Sequence, residues 1–587
     1  RVIWPDPDPQ QDTGDYDVVV DFGSIAAEES SDYLTDATYD VGVDFIDGYD
    51  RIGFSVVNDP AVAGPYAVGK ADHYDAVVNG GANDPFNFDE LGFPFVRNWL
   101  TIRYPAQANG IQQPLPAGND AYPVALFLHG RHRICAPDDC CTDHACKYNV
   151  NCPPQDRVAS HPGFNYILDT LASQGCIAIS IDAFDIQPAG GLECYEARAR
   201  LILEHLNRMQ DWNDNGTDPW GALNFQGRID MSKIAIIGHS RGGEAVLVAS
   251  HINAAEPQNY AHNIQAVIAL APSNFDDGYT WQMTTAPYLI LQGALDGDLD
   301  DFPGVAKYDA AYPADLPTQH AKALGFIQGA NHVHFNTVWT PGHADAEPCA
   351  EDDAQNLPGT LLTAAQQRQI ARSSIVGFIQ WHLNGKTAYR EIFTGRLKLQ
   401  SLQNDALRWS YQDPNRVTVE DFDTGPPGNN KNSLNGQYTF DPLFLTTDED
   451  DWDTDSLHTT FKLELSWDLS GLEYENEIPV AHRDFTPWTH LALRVMQFQD
   501  ALNPVNAQTK LRVKLVDGND NYRVVWTDDF ESIPYPDNNV SQMKTVRLPL
   551  KSFAQNNSGV DLGDIRKIII TVQNTGSIAL DDLHVTR

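Results

Sequence analysis

The pentapeptide Gly-His-Ser-Arg-Gly at residues 238–242 is the segment of this 587-residue chain whose residue types and spacing best suit chemistry. It follows an apolar run at residues 234–237 and precedes residues 244–252, which are compatible with a helix. A Gly-x-Ser-x-Gly turn between a strand and a helix strains the serine backbone and raises its hydroxyl above the edge of a sheet. The context therefore predicts that Ser240 is a nucleophile.

A nucleophilic serine needs a histidine base and an acid that orients it. An apolar run at residues 288–291 leads into a turn that holds Asp296 and Asp298. Asp296 is the preferred acid, because a carboxylate just beyond the end of a strand can accept the imidazole N–H. Asp298 is the near alternative, and Asp276 and Asp277 are more distant ones. Asp-Gly pairs are also typical of plain turns.

The base is expected after one further strand. The apolar run at residues 324–327 leads to two histidines, His332 and His334. His332 is preferred because it lies in the first turn of the loop, and His334 is the alternate. Two histidines so close together also suit a metal ion, but the adjoining loop offers no evident third ligand.

Two backbone N–H groups are needed to stabilise the negative charge that develops on an attacked carbonyl. One is expected from Arg241, directly after the nucleophile. The other is expected from Arg131, in a His-Gly-Arg segment that follows the apolar run at residues 124–128. The side chains of Arg131, His132 and Arg133 either favour anionic substrates or pair with nearby acids.

Residues 90–386 resemble secreted α/β-hydrolase esterases, and Gly-His-Ser-Arg-Gly-Gly is most similar to the chlorophyllase and platelet-activating-factor acetylhydrolase branches. Ser240, Asp296 and His332 match the triad of that family. The resemblance implies a serine carboxylic-ester hydrolase that works through an acyl-enzyme without a catalytic cofactor. Phospholipid deacylation, acetylhydrolysis, peptide hydrolysis and acyl transfer remain alternatives, because fold and triad do not separate these reactions. A non-catalytic adhesion protein is a third class.

Near-continuous apolar runs predict the strands of a mostly parallel sheet, because strands buried on both faces carry few polar residues. These runs are residues 124–128, 177–181, 234–237, 266–271, 288–291 and 324–327. Helices are predicted at residues 163–173, 195–209, 244–252 and 364–383.

The C-terminal part, residues 394–587, carries short alternating segments between turns, which predict a β-sandwich. Residues 418–423 and 576–583 resemble the first and last strands of jelly-roll carbohydrate-binding modules. In that family these strands lie side by side and often share a structural calcium ion. The resemblance makes Asp421 and Asp582 candidate calcium ligands, and ordinary edge-strand acids are an equal alternative.

The chain is too long for one hydrophobic core. Three domains are predicted: an acidic, β-rich extension at residues 1–90, an α/β-hydrolase domain at residues 91–390 and the sandwich at residues 394–587. Within the extension, residues 16–22 and 53–57 alternate in polarity and suit strands, which are expected to pack against the hydrolase domain.

All eight cysteines lie between Cys135 and Cys349, and five of them fall within residues 135–152. Their spacing does not match a zinc site, whereas an even count in a loop-rich segment indicates disulfides formed in an oxidising compartment. Secretion is therefore expected. The start at Arg1 instead of Met is explained by a removed signal peptide or by truncation.

Acidic residues outnumber basic residues by 80 to 39, so the net charge is −41. Such a surface repels nucleic acid and anionic membranes, which are therefore not expected partners. No apolar run approaches the length of a membrane span. The expected partner is an ester substrate, polymeric or associated with a polysaccharide, on which the sandwich holds the enzyme.

Overall fold

The computed structural model describes the chain from residue 58 onwards. Its gaps are residues 75–76, 79–80, 83–84, 136–150, 189–191, 222, 275–282, 284, 313–318, 340–359, 403–405, 424–428, 451–457, 537–539 and 555–558. The chain divides into two compact units, residues 1–58 and 59–587, and all the described helices and strands belong to the second. The strands expected at residues 16–22 and 53–57 lie outside the described residues.

In chain order, the described strands are β1 (Ala67–His73), β2 (Val77–Val78), β3 (Gly81–Ala82), β4 (Phe86–Phe88), β5 (Phe93–Val96), β6 (Leu100–Ala106), β7 (Gly110–Ile111), β8 (Tyr122–Leu128), β9 (Ile177–Ile181), β10 (Ile229–His239), β11 (Ile264–Leu270), β12 (Tyr288–Gly293), β13 (Lys322–Ile327), β14 (Leu407–Gln412), β15 (Arg416–Glu420), β16 (Tyr438–Phe440), β17 (Thr446–Asp450), β18 (Lys462–Trp467), β19 (Glu473–Glu477), β20 (His490–Gln497), β21 (Arg512–Asp517), β22 (Tyr522–Trp526), β23 (Lys544–Pro549), β24 (Ile565–Thr571) and β25 (Gly576–Thr586).

The α-helices are α1 (Asn165–Ser173), α2 (Leu192–Asn215), α3 (Arg241–Ala255), α4 (Pro303–Ala310), α5 (Ala364–His382), α6 (Arg390–Phe393) and α7 (Lys551–Ala554). Short 3₁₀ helices cover Asp89–Leu91, Pro154–Asp156, His161–Phe164, Val333–Phe335, Thr387–Tyr389, Gln400–Leu402, Val480–His482, Thr527–Asp529 and Leu562–Asp564. The four predicted helices are confirmed as α1, α2, α3 and α5. None of the helices in the described part of the chain could span a lipid bilayer.

Ten strands form one mixed sheet in the order β14-β13-β12-β11-β10-β8-β9-β6-β1-β7. Its central strands, from β13 to β9, run parallel to one another, whereas β14, β6 and β1 join in antiparallel orientation. Every residue of β8, β9, β12 and β13 is buried, which explains their continuous apolar sequences. All six predicted strands are present, so the mostly parallel sheet is confirmed.

The C-terminal segment forms two antiparallel sheets. One has the order β17-β18-β25-β20-β23 with β15 added on β25, and the other has the order β16-β19-β24-β21-β22. Their apolar side chains form a common core that includes Leu465, Leu493, Val513 and Ile570. The strands expected to be first and last are adjacent, since Val417 of β15 lies opposite Val585 of β25. The jelly-roll identity and the domain boundaries stay predictions.

Strand β14 lies in the hydrolase sheet, although residue 407 is beyond the predicted start of the sandwich. Trp409 pairs with Gly325 of β13. The next two residues of β14 contact β23 and the residue just before it. The Ser410 hydroxyl donates to the Met543 carbonyl oxygen at 2.8 Å, and the Tyr411 N–H donates to Thr545 Oγ1 of β23 at 2.9 Å. The strand therefore bonds to both parts of the unit.

Buried charges also join the two parts. Arg494 of β20 is 1% exposed, and its Nη2 lies 2.8 Å from Asp309 Oδ1 of α4. Its Nη1 lies 3.2 Å from a carboxylate oxygen of Asp581 and of Asp582. Burial alone would raise the pKa of Asp309, but Arg494 and His458 outweigh it and hold that pKa below its usual value.

One disulfide, Cys135–Cys152, lies within the described residues and closes a separation of 17 residues beside the predicted oxyanion segment. For Cys176 and Cys194 the expectation of disulfides is wrong, because both are buried free thiols. Burial raises the pKa of the Cys176 thiol, whose sulfur lies 3.2 Å from the Pro123 carbonyl oxygen. The other four cysteines lie outside the described residues.

Replacing Arg494 by Met should lower the free energy of unfolding by about 3–5 kcal/mol, because it leaves buried carboxylates without their cationic partner. Urea unfolding at neutral pH measures this change. Lys510→Ala is the control, since its pair with Asp528 is 3.5 Å long and about half exposed; it should cost less than about 1 kcal/mol. Equal effects of the two substitutions would contradict this account of the junction.

Candidate active site

Ser240 lies at the turn between β10 and α3. Its φ is 57° and its ψ is −124°, a strained conformation for a residue with a side chain. The Ser240 N–H donates to the Leu270 carbonyl oxygen of β11 at 2.8 Å, and the Ser240 carbonyl accepts the Gly243 N–H at 2.8 Å. The turn is thus fixed to the neighbouring strand and to the first turn of α3.

The two glycines of the motif allow close backbone contact on both sides of Ser240. A Cβ atom on Gly238 would lie 1.9 Å from the Gly242 carbonyl oxygen, and one on Gly242 would lie 2.4 Å from the Leu128 carbonyl oxygen. A side chain at position 238 would push the end of β10 away from the start of α3, and one at position 242 would push the start of α3 away from the end of β8. Steric contact therefore explains both glycines.

Asp296 follows β12 and is fully buried. Its Oδ1 accepts the N–H groups of Leu299 and Asp298 at 2.9 and 3.2 Å. Its Oδ2 lies 2.9 Å from His332 Nδ1 and accepts Gln292 Nε2 at 3.2 Å. Four groups thus fix the orientation of this carboxylate.

His332 follows β13 and is 2% exposed. Because its Nδ1 donates to Asp296, the neutral ring carries its lone pair on Nε2, as a general base for a serine requires. The His332 ring contacts the ring of His239, with 4.8 Å between centroids. This contact places the histidine beside the residue that precedes Ser240.

Helix α5 holds the loop that carries His332. The side-chain amide of Gln367 bonds to both sides of Asn331, with its Nε2 donating to the Asn331 carbonyl at 2.7 Å and its Oε1 accepting the Asn331 N–H at 3.0 Å. A capping box at Thr363 and Gln366 begins this helix. The position of His332 therefore depends on a helix more than thirty residues further along the chain.

The predicted oxyanion segment lies directly against Ser240. A Cβ atom on Gly130 would lie 2.3 Å from Ser240 Cβ and 2.9 Å from Ser240 Oγ. Arg131 follows this contact. Arg241 is the first residue of α3, where N–H groups have no acceptor within the helix. Donation by Arg131 and Arg241 to an oxyanion stays a prediction.

Aromatic rings form a wall beside His332. The ring centroid of Trp339 lies 4.7 Å from that of His239 and 4.9 Å from that of His132, on which it stacks at an interplanar angle of 11°. Trp339 Nε1 donates to Ser160 Oγ at 2.9 Å, which fixes the indole. Burial lowers the pKa of His239 well below its usual value, so this ring is neutral. The wall suits an uncharged, apolar group.

The alternates occupy different positions. Asp298 is about half exposed, and its Oδ2 lies 3.5 Å from His332 Nε2, on the other side of the ring from Asp296. The His334 N–H donates to Asn331 Oδ1 at 3.0 Å, and burial lowers the pKa of its imidazole. Two further alternatives lie outside the described residues: Asp276 and Asp277.

The candidate calcium ligands are engaged with protein groups. Asp582 pairs with Arg494 and accepts Gln412 Nε2 at 3.3 Å, whereas Asp421 accepts the Ser433 hydroxyl at 2.9 Å. Among the described residues, no group of three or more His, Cys, Asp or Glu side chains is arranged to hold a metal ion. Calcium ligation by Asp421 and Asp582 stays a prediction.

Sequence reasoning did not single out Asp182, His161 or Trp339. Asp182 directly follows β9 and is buried, so it carries the same signal, a carboxylate at the end of an apolar run, that identified Asp296. Trp339 lies in an irregular segment after His332, where no periodicity marks a site residue. His161 belongs to a 3₁₀ helix and has no sequence signal of its own.

Comparisons with known proteins match part of this chain. Cutinase 1 of Thermobifida cellulosilytica is 28% identical over 186 residues, which are 30% of this chain and 61% of the relative. Cutinase 2 of the same organism is 30% identical over 186 residues, with the same two shares. Bis(hydroxyethyl) terephthalate hydrolase of Streptomyces coelicolor is 28% identical over 208 residues, which are 34% of this chain and 58% of the relative. No family model matches the chain.

This similarity supports the predicted class of α/β-hydrolase esterases. The chain spans about three fifths of the length of these relatives. Membership of the chlorophyllase or platelet-activating-factor acetylhydrolase branch stays a prediction.

Replacing Gly130 by Ala should lower kcat for a p-nitrophenyl ester by about a hundredfold, because the new methyl group displaces either the segment or Ser240 by around an ångström. Steady-state kinetics measure the change, and urea unfolding establishes that the variant is folded. Gly385→Ala is the control for backbone strain without a steric clash, since a Cβ atom there meets nothing within 4 Å but the φ of 66° disfavours alanine; it should lower the free energy of unfolding and leave kcat unchanged. Full activity of Gly130→Ala would contradict the close contact.

Proposed function

We propose that the chain is a secreted serine carboxylic-ester hydrolase that acts through Ser240, His332 and Asp296. The observation that carries the proposal is the buried 2.9 Å hydrogen bond between Asp296 and His332, next to a serine in a strained strand–turn–helix. Cutinases and a bis(hydroxyethyl) terephthalate hydrolase among the similar proteins agree with this chemistry.

In the proposed acylation, His332 Nε2 takes the Ser240 hydroxyl proton while Oγ attacks the ester carbonyl carbon. Asp296 keeps the proton on Nδ1 and stabilises the imidazolium that forms. The backbone N–H groups of Arg131 and Arg241 bind the oxyanion. The imidazolium then gives its proton to the departing alcohol, and the acyl group remains on Ser240.

In the proposed deacylation, His332 removes a proton from water, which attacks the acyl carbonyl. The second tetrahedral intermediate collapses when the imidazolium returns its proton to Ser240 Oγ, and the carboxylic acid leaves. No metal ion or organic cofactor takes part in either half-reaction.

The substrate class we propose is a neutral ester with an apolar or aromatic acyl group, presented by a polymer or by a polymer-associated molecule. The ring wall of His132, His239 and Trp339 supports a preference for neutral, apolar acyl groups, since these closely packed rings lie beside His332. The similarity to cutinases and to a bis(hydroxyethyl) terephthalate hydrolase supports an ester substrate.

The C-terminal sandwich is proposed to hold the enzyme on its polymer, with Asp421 and Asp582 in a structural calcium site. The disulfide Cys135–Cys152 supports a location outside the reducing cytoplasm. The excess of acidic residues favours solubility there.

Replacing Ser240 by Ala should lower kcat/KM for p-nitrophenyl butyrate by about a thousandfold or more, because triad members act as a unit. Asp296→Asn should cost a comparable factor, since it favours the wrong tautomer of His332. Initial rates on folded variants measure both.

Asp298→Asn is the matched control and should retain activity within about tenfold, because this half-exposed carboxylate does not orient Nδ1. A chelator should leave the initial rate unchanged. Near-normal hydrolysis by Ser240→Ala, or a larger loss for Asp298→Asn than for Asp296→Asn, would refute the assignment.

Among small substrates, the enzyme should hydrolyse bis(hydroxyethyl) terephthalate at least about tenfold faster, in kcat/KM, than a phospholipid or an anilide of matched size, because the ring wall suits a neutral, apolar acyl group and the proposed chemistry is that of an esterase. Product release measured by chromatography gives the ratio. A preference for the phospholipid or the anilide would redirect the proposal to lipase or peptidase chemistry.

A further inference from the structure

One peptide unit joins Gly130 to Arg131. It carries both the carbonyl of Gly130 and the N–H of Arg131, and in a planar trans peptide these two groups point in opposite directions. Whatever fixes the Gly130 carbonyl therefore fixes the direction of the Arg131 N–H. In the proposed function, that N–H donates a hydrogen bond to the oxyanion.

The side chain of His129 binds this carbonyl. His129 is fully buried, and its Nδ1 lies 2.7 Å from the Gly130 carbonyl oxygen. A carbonyl oxygen only accepts hydrogen bonds, so Nδ1 carries a hydrogen and donates. The residue before the glycine thus controls the orientation of the peptide after it.

Two groups hold the opposite side of the same ring. The Ala183 N–H lies 3.0 Å from His129 Nε2, and Asp182 Oδ1 lies 3.2 Å from it. A neutral ring accepts from Ala183 at Nε2, whereas a protonated ring donates from Nε2 to Asp182. In both protonation states Nδ1 keeps its hydrogen, so its bond to the Gly130 carbonyl does not depend on which state is present.

Asp182 is itself firmly oriented. Its Oδ2 lies 2.7 Å from His161 Nδ1 and accepts the N–H groups of Ser160 and His161 at 2.9 and 3.1 Å. Burial alone would raise the pKa of Asp182, but His129 and His161 outweigh burial and lower it. An ionised, immobile carboxylate therefore lies against the His129 ring.

The backbone on either side of the peptide is also fixed. Buried Arg198 donates from Nη1 to the His129 carbonyl at 3.1 Å. Gln187 Oε1 accepts the His132 N–H at 2.9 Å and Arg198 Nη2 at 3.4 Å. Side chains from α2 and from the loop before it therefore hold the backbone on both sides. The motion that remains is rotation of the plane of the Gly130–Arg131 peptide.

We infer that His129 is a positioning residue for ester hydrolysis: its Nδ1–H holds the Gly130 carbonyl so that the Arg131 N–H faces the oxyanion, and Asp182 and Ala183 fix the ring. The inference rests on the proposed function. A purely structural His129 would fill space in the core, and any side chain of similar volume that permits folding would serve equally well.

The test compares His129→Asn, His129→Gln and His129→Leu in the full chain. Asn places an amide N–H near the position of Nδ1, whereas Gln carries its amide one bond further out and Leu has no donor. His205→Leu is the matched control, because His205 is also buried and its Nδ1 lies 2.8 Å from a carbonyl oxygen, that of Leu201 within α2.

We expect His129→Leu to lower kcat for p-nitrophenyl butyrate by about a hundredfold, the usual effect of losing one oxyanion donor, with KM changed by less than about threefold. His129→Asn should recover at least about tenfold of this loss, and His129→Gln should not. Binding of a trifluoromethyl ketone, which forms a tetrahedral adduct, should weaken in parallel with kcat/KM. His205→Leu should keep its kcat.

Equal kcat in His129→Leu and His205→Leu, or equal kcat in His129→Asn and His129→Gln, would overturn the inference. If His129→Leu does not fold, the comparison of Asn with Gln decides. Labelling of the wild-type protein by a fluorophosphonate, and its absence in Ser240→Ala, tests the proposed function separately. An enzyme that is active and labelled but indifferent to position 129 would retain the function and lose the inference.

Discussion

Three backbone segments meet at Ser240 with no space for side chains between them. Gly130 lies against the serine, Gly238 against Gly242, and Gly242 against the end of β8. Ser240, the segment that ends at Gly130 and the start of α3 therefore form one rigid unit. The remaining members of the site reach this unit because β8, β10, β12 and β13 are parallel members of one sheet, so residues after their carboxyl ends lie along the same edge.

That geometry also explains how much could be predicted from the sequence. Ser240, Asp296 and His332 each follow a strand that is visible in the sequence as an apolar run. A strand that is buried on both faces of a sheet consists mainly of apolar residues. Local patterns therefore predict the strand positions and the candidate residues. Asp182 carries the same signal but has no place in the chain order of a triad. Its contact with His129, more than fifty residues away, exists only in the folded chain.

Other features depend on pairing between distant segments, which local patterns do not record. Strand β14 alternates like the sandwich strands that follow it, yet it bonds to β13, some eighty residues earlier. The even number of cysteines predicted pairing in general. Cys176, directly before β9, and Cys194, on α2, are nevertheless buried free thiols. The wall of rings beside His332 likewise exists only once Trp339, His132 and His239 are folded together.

The place of β14 has a consequence for how this protein could be shortened. Ending the chain after α5 would uncover the edge of β13, whose N–H and C=O groups would then face solvent or a strand from another molecule. A minimal catalytic fragment would need at least residue 412 at its end, and would still present the face of β14 that now bonds to Met543 and Thr545. The boundary between the two parts therefore runs through hydrogen-bonded strands and not through a flexible linker. A cut at this boundary, by proteolysis or in a designed fragment, would expose strand edges that can pair with other chains.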